Sequence, residues 1–252
     1  MKKAGGIDWP HHIGYVGNHV NPSEVFPDTE PVIEMTSNHG VFETYDKQHA
    51  VPVPIRRPIQ PGTSAQDVLA AGKRIGMVGS SDSHIGFSGY RTGMFGVVAP
   101  ELTTSAILDA IRKRRTIAIR GGEPIFVDLR ADGHFIGDEY RTNRPPRLQI
   151  KVKATRPVRR IEIIRSNLFV LSQEYSGEAT ERSLEFADRE FPPAFYYVRV
   201  QQGDDGWAWT SPVWVDRTMR ATAFPEGTAT PWASALLMIA LLPALLYRRR
   251  PA

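Results

Sequence analysis

Asp82 and His84 stand two residues apart, directly after the short apolar run Ile75-Gly76-Met77-Val78-Gly79 and among serines at 80, 81 and 83. In an extended segment, residues two apart point to the same side. A carboxylate and an imidazole so placed can grip one divalent ion, or two adjacent ions, through oxygen and nitrogen. Six of the seven histidines, at 11, 12, 19, 39, 49 and 84, fall in the first third of the chain. A structural histidine is usually solitary. A group of loop histidines with Glu34, Glu43 and Asp82 nearby points instead to metal binding by mixed nitrogen and oxygen ligands. His11 and His12 follow Trp9-Pro10. Neighbours in an extended chain face opposite ways, so one of the two can reach the ion held by Asp82 and His84. The other orients a ligand or touches substrate. Ser37-Asn38-His39-Gly40 and Glu43 read as groups facing substrate or steadying the ligands, with His39 and Glu43 the candidate catalytic pair; the plainer alternative is a polar loop with a glycine turn.

Other chemistries find less support. The chain has no cysteine, which excludes disulfides, thiolate ligands and thiol nucleophiles. No Gly-x-Ser-x-Gly elbow and no Gly-x-x-x-x-Gly-Lys-Ser/Thr loop occurs. The net charge is +4, and Arg248, Arg249 and Arg250 carry 3 of it. The rest is close to neutral, so no basic footprint for nucleic acid is visible. Arg112-Lys113-Arg114-Arg115 is a solvated helix end, where cations meet the negative pole of the dipole.

The elements that must position these residues follow an α/β grammar. Val32-Ile33-Glu34-Met35 predicts a buried strand. Ser64-x-x-Asp67 predicts a capping box opening a helix with Val68, Leu69 and Ala71 on its apolar face. A strand over 75–79 runs into the Asp82 loop, and a second helix runs from about Thr104 to Arg115 with Ile107, Leu108 and Ile111 on one side. After Gly122 the style changes to short segments: Pro124–Ala131, Arg147–Ala154, Val158–Arg165, Ser183–Phe186, Phe195–Gln201 and Trp207–Val215. Period-2 alternation in 160–164 and 196–200, with the turns Asp132-Gly133 and Gly203–Gly206, predicts a β-sandwich of immunoglobulin-like size.

From Ala229 to Tyr247 the sequence is nearly all apolar, with Trp232 and Tyr247 near its ends and three arginines behind it. Nineteen helical residues rise about 28 Å, close to a bilayer core. The expectation is a transmembrane helix, with the soluble part outside the cytoplasm and the basic tail inside. The run also resembles the tripartite sorting tails of bacterial surface proteins.

Several of these segments resemble one family. Val78-Gly79-Ser80-Ser81-Asp82-Ser83-His84 resembles the last metal motif of PHP-superfamily metallohydrolases, and Trp9-Pro10-His11-His12-Ile13-Gly14-Tyr15 an earlier ligand motif. Glu34–Glu43 and Leu108–Thr116 resemble segments of the branch of CehA/McbA-like and DUF3604 proteins, with the likeness spanning residues 5–140. The β-rich part ending in Trp209–Asp216 is similar to that branch too. The resemblance implies a distorted βα barrel with zinc, manganese or iron ions, and hydrolysis of phosphoesters or carbamate-like esters of small molecules. It carries over Asp82, His84, His11 and His12 as metal ligands. The family's first His-x-His would lie upstream of this chain, which then holds the C-terminal part of the barrel. The expected organisation is a partial PHP-type barrel over 1–122, a β-sandwich over 123–217, a linker over 218–228, a membrane helix over 229–247 and a cytoplasmic tail over 248–252. The competing reading is a non-catalytic, membrane-anchored β-domain carrying a relic of the barrel.

Overall fold

A computed structural model describes residues 6–52, 58–84, 93–190, 192–203 and 205–218. They lie in one unit that runs to Thr218. Among the described residues, fifteen strands form three sheets, accompanied by two short α-helices.

The smallest sheet carries the residues of chemical interest. Strand β1 (Val32–Ser37) pairs parallel with β3 (Gly76–Gly79) and antiparallel with β2 (Gly40–Val41). The parallel crossover passes through helix α1 (Ala65–Ala70), whose Ser64 and Asp67 form the reciprocal capping box expected from sequence. All six residues of β1 are buried.

The middle layer is an eight-stranded sheet. Its main path runs through β11 (Leu168–Glu174), β10 (Val158–Arg165), β13 (Ala194–Gln202), β14 (Gly206–Thr210), β5 (Thr116–Arg120) and β4 (Gly93–Val97). Strand β15 (Val213–Arg217) joins β13 to β8 (Glu139–Thr142). The central strands of this sheet are buried on both faces, and side-chain alternation divides their residues between two cores. Ile117, Ile119, Tyr196, Val198 and Val200 meet the outer sheet of β12 (Glu181–Ala187), β9 (Arg147–Ala154), β6 (Ile125–Ala131) and β7 (His134–Phe135). Ala118, Tyr197, Trp207 and Trp209 turn the other way, onto Ile33, Met35 and Met77 of the small sheet and Val68 and Leu69 of α1. The far face of the small sheet meets helix α2 (Thr104–Arg112): Val32 and Val78 pack with Ile111 and Ile107.

This architecture corrects the expected fold class. Among the described residues there is no half-barrel of parallel strands followed by a separate sandwich. Only β1–β3 and β8–β15 are parallel, and the strand ladders are otherwise antiparallel. The reason is the pairing of β5 with β14, where Ile119 faces Ala208 and Ala118 faces Trp209. That ladder crosses the change of style at Gly122, so residues from both sides of it share one sheet. The expected membrane anchoring is corrected too. Among the described residues no helix is long and apolar enough to cross a membrane. Residues 229–247, on which that expectation rested, lie outside the described residues, as do the linker and tail around them.

Two glycines set where the β3 strand ends. A Cβ on Gly79 would lie 2.4 Å from the carbonyl oxygen of Met94, and one on Gly93 would lie 2.1 Å from that of Ser80. Only glycine lets β3 and β4 approach so closely. The contact fixes Ser80, and with it the loop that presents Asp82.

Asp188 illustrates how charge is held inside this β-structure. Burial pushes its carboxyl up, but the Tyr196 hydroxyl at 2.6 Å and the Arg165 guanidinium at 2.8 Å outweigh burial and hold it below the ordinary carboxylate range. A depressed native value stabilises the fold above the unfolded value and loses that stabilisation as pH falls through the native one. Acid unfolding below about pH 4 should therefore depend on this group. Chemical denaturation at stepped pH should show Asp188→Asn less stable than wild type at pH 7, the gap narrowing as pH drops. A gap that stays constant with pH would contradict the assignment.

Candidate metal centre

The site forms at the carboxyl ends of the parallel pair β1–β3, beside the turn that carries His11 and His12. Three features place its central carboxylate. The Ser80 amide donates to the Thr36 carbonyl at 2.9 Å, which ties the loop after β3 to β1. The Gly79 and Gly93 contacts hold the strand end. Asp82 itself adopts the left-handed region, with φ 44°. Aspartate tolerates that region better than most residues, and such outliers gather at functional sites.

Four imidazoles surround the Asp82 carboxylate. His12 Nε2 lies 3.0 Å and His39 Nε2 2.6 Å from Oδ2. His84 Nε2 lies 3.2 Å and His11 Nε2 3.6 Å from Oδ1. Each oxygen thus faces two ring nitrogens. Ligand atoms about 2.0–2.2 Å from one cation, at tetrahedral or octahedral angles, sit roughly 3.0–3.5 Å from each other. The Asp82 distances bracket that spacing. Two triads, His11 with His12 and Asp82, and His39 with Asp82 and His84, each keep their ligand atoms within 4.8 Å of one another.

His11 and His12 both reach Asp82, against the expectation from extended-chain geometry. The backbone explains this: His12 has φ 56°, so the chain turns there instead of alternating. The two rings end with centroids 3.4 Å apart. Tyr15 stacks on His12 at 5.1 Å and meets His39 edge-on at 4.9 Å, closing one side of the cluster. On the other side the site is open: the His84 side chain is 80% exposed and that of His11 44%.

Beneath the cluster lies Glu34, fully buried in β1. Its Oε2 takes the Nδ1–H of His11 at 2.6 Å and the Ser80 hydroxyl, and its Oε1 takes the His12 amide at 3.4 Å. A carboxylate can only accept, so in neutral His11 the proton resides on Nδ1 and the lone pair on Nε2, the nitrogen that faces Asp82. The hydrogen bond to Glu34 is also the main reason the His11 imidazole is pushed up, against the lowering effect of burial. Asp82 is pushed up by burial but held low overall by the hydrogen bond from His12 and by the charges of His11, His39 and His12.

Of the residues singled out from sequence, His11, His12, His39, Asp82 and His84 come together. Glu43 does not. Its buried carboxylate takes the Tyr197 hydroxyl at 2.9 Å and Arg199 Nη1 at 2.6 Å, in a network between α1 and β13. His49 stacks on Phe169 and bonds Asp46, and it takes no part in the cluster. Glu34 and Tyr15 are the residues that sequence reasoning undervalued. The signal for Glu34 was present: a lone carboxylate inside the strand Val32-Ile33-Glu34-Met35-Thr36-Ser37 has to find donors indoors.

Comparison with known proteins gives likeness without function. No protein-family model matches the chain. No solved structure matches it. It is similar to an uncharacterized protein of Chlamydia trachomatis serovar D, 27% identical over 225 residues, with 78% of this chain and 36% of that protein covered. It is also similar to an uncharacterized protein of Chlamydia muridarum, 27% identical over 216 residues, covering 74% of this chain and 34% of that one. A third uncharacterized protein, from Chlamydia pneumoniae, is 27% identical over 144 residues, half of this chain. The chain therefore spans about a third of the length of the curated relatives it matches.

Proposed function

We propose that the chain carries a divalent-cation centre and hydrolyses a small-molecule ester with a water activated there. The observation that carries this reading is the convergence of four imidazoles on one carboxylate at the ends of two parallel strands. The donor set is nitrogen and carboxylate oxygen without sulfur, which suits zinc, manganese or iron(II). The chemistry such an ion supplies, when bound, is a water made nucleophilic near neutral pH and a polarised ester oxygen. Asp82, His12 and His39 form the half-buried floor of the site. His11 and His84 stand at its solvent rim, which leaves the open side that separates catalytic from closed structural sites. Glu34 holds His11 in the tautomer that can bind. The motif resemblance described above adds the substrate class: a phosphoester or a carbamate-like ester.

The test is metal retention and turnover together. The purified chain, loaded with zinc or manganese and dialysed, should hold stoichiometric metal by mass spectrometry. It should hydrolyse bis(p-nitrophenyl) phosphate or a p-nitrophenyl carbamate, stop on adding chelator and recover on adding back the ion. A chain that retains no metal ends this reading. One that retains metal without turning over either ester is a binding protein instead of a hydrolase.

The role of Glu34 gives a second expected outcome. Glu34→Gln keeps the shape but no longer fixes the His11 proton, and partners of this kind are commonly worth about 10–100-fold in metal affinity. Competition with a coloured chelator should show a loss of that size, with the far-ultraviolet circular dichroism unchanged. Unaltered affinity would reduce Glu34 to a packing residue.

A further inference from the structure

Arg120 closes strand β5 and is nine-tenths buried, at 9% exposure. Its Nη1 donates to the Thr36 hydroxyl at 3.2 Å and to the Ser37 carbonyl at 2.6 Å. Both acceptors are neutral. Among the described residues no carboxylate pairs with it, and burial alone lowers its guanidinium from the ordinary range. The other buried arginines behave differently. Arg165 is held by Asp188 and Glu190, and Arg199 by Glu43 and Glu162. A buried cation without an anion is costly, and a guanidinium has five donors arranged for oxyanions.

The place of Arg120 is informative. Thr36 and Ser37 end the strand that leads to His39, and Thr36 holds the Ser80 amide that leads to Asp82. The Arg120 guanidinium thus touches the strand end from which the cluster is built. Across the ladder Arg120 faces Trp207, so both side chains share the face toward the small sheet. The indole N–H of Trp207 is buried and meets no acceptor among the described residues. The Arg120 donors not spent on Thr36 and Ser37, on a guanidinium held against the strand end that carries the cluster, have the character of a subsite for negative charge.

We infer that Arg120 is an anion-recognition residue that binds a phosphoryl or carboxylate group of the substrate next to the Asp82 cluster. The inference rests on the hydrolase reading for the word substrate; the anion site itself stands on Arg120 alone. It narrows the ester to one bearing a second negative group, and Arg120 acts in binding, not in bond cleavage.

Chelator-treated chain (residues 1–252) separates the two readings, because the cation centre is then empty. Inorganic phosphate and acetate are titrated into it by calorimetry and by thermal shift. Wild type should bind and be stabilised by one of them: phosphate assigns a phosphoryl group, acetate a carboxylate. Arg120→Met should bind about 10–100-fold more weakly, the loss expected for charge-assisted hydrogen bonds. Without anion it should melt no lower than wild type, because a buried unpaired charge has gone. Asp82→Ala, which removes a neighbouring negative charge, should bind the anion at least as tightly as wild type does. If Arg120→Met fails to fold, Arg120→Lys decides instead, with binding weakened about tenfold at constant charge. The inference is overturned if wild type binds neither anion, if the Arg120 variant binds as well as wild type, or if the loss follows Asp82→Ala. Failure of metal retention alone sinks the hydrolase and leaves this subsite standing.

Discussion

Asp82→Ala should lower the affinity of the chain for zinc or manganese by more than about 100-fold, the largest effect of any single change at the site. The argument is geometric. Both carboxylate oxygens are in use, each between two imidazoles, so one substitution removes the shared ligand of both triads. The surrounding fold should tolerate it. Asp82 lies in a loop after β3, partly exposed, and contributes no apolar packing. Its left-handed backbone adds a modest strain to any replacement, least for Asn. Asp82→Asn therefore separates charge from shape: it should fold as wild type does and still lose most of the affinity. His84→Ala should cost less, because that ring is largely in solvent and contributes a single nitrogen. Isothermal titration with zinc, alongside thermal melts of the metal-free proteins, gives these values. An Asp82→Ala chain that binds within tenfold of wild type would dismantle the centre described above.

Arg199→Met should be the most damaging change to stability, at about 3–5 kcal/mol. Arg199 is 3% exposed and lies between two buried carboxylates. Its Nε binds Glu162 at 2.6 Å, and its Nη1 binds Glu43 at 2.6 Å and the His49 carbonyl at 2.8 Å. Its plane also lies over Phe169 at 4.7 Å and near Trp207 at 5.5 Å. Burial works to lower the guanidinium, and the Glu43 and Glu162 charges overcome this and raise it. Removing the cation leaves two carboxylates facing each other indoors. The natural control is the triple change Glu43→Leu, Arg199→Met, Glu162→Leu. Replacing a whole buried ion triad with apolar residues of similar volume is often neutral or stabilising, so the triple variant should recover much of the loss. Urea denaturation of the single and triple variants measures both. A single variant within about 1 kcal/mol of wild type would show that water, not protein, solvates this triad.

The same triad shows what sets the surroundings of Glu43. In the chain it stands four residues after His39, in a segment with polar spacing typical of a site loop. What decides its role is Arg199, 156 residues away, and no local pattern announces that partner. The reverse holds at Asp82. Its neighbours in sequence, an apolar strand before and a histidine two residues after, are also the neighbours that matter in space. Local signals served well in the second half too. The alternation in 160–164 and 196–200 marks β10 and β13, and Asp132-Gly133 makes the turn between β6 and β7, both residues with positive φ. Strand β5 was the costly omission. Thr116-Ile117-Ala118-Ile119-Arg120 follows a helix and alternates only between larger and smaller apolar groups, because both its faces are buried. The expected second helix ends at Arg115, and residues 116–120 carry no polar alternation that would mark a strand. Once it pairs with β14, the chain cannot divide into barrel and sandwich, and the expected architecture gives way.

The β5–β14 ladder also fixes an order of events. Thr116 and Met77 are joined to Ser211, a hydroxyl that bonds the Met77 amide from 134 residues further along the chain. The strand leading to Asp82 is therefore finished only by residues made near the end of the described chain. During synthesis the five clustered residues leave the ribosome before β14 does, so their scaffold is completed after them. Closing so long a loop is slow compared with local folding. On the proposed reading, the cation centre would take its final geometry only when the last strands join the sheet.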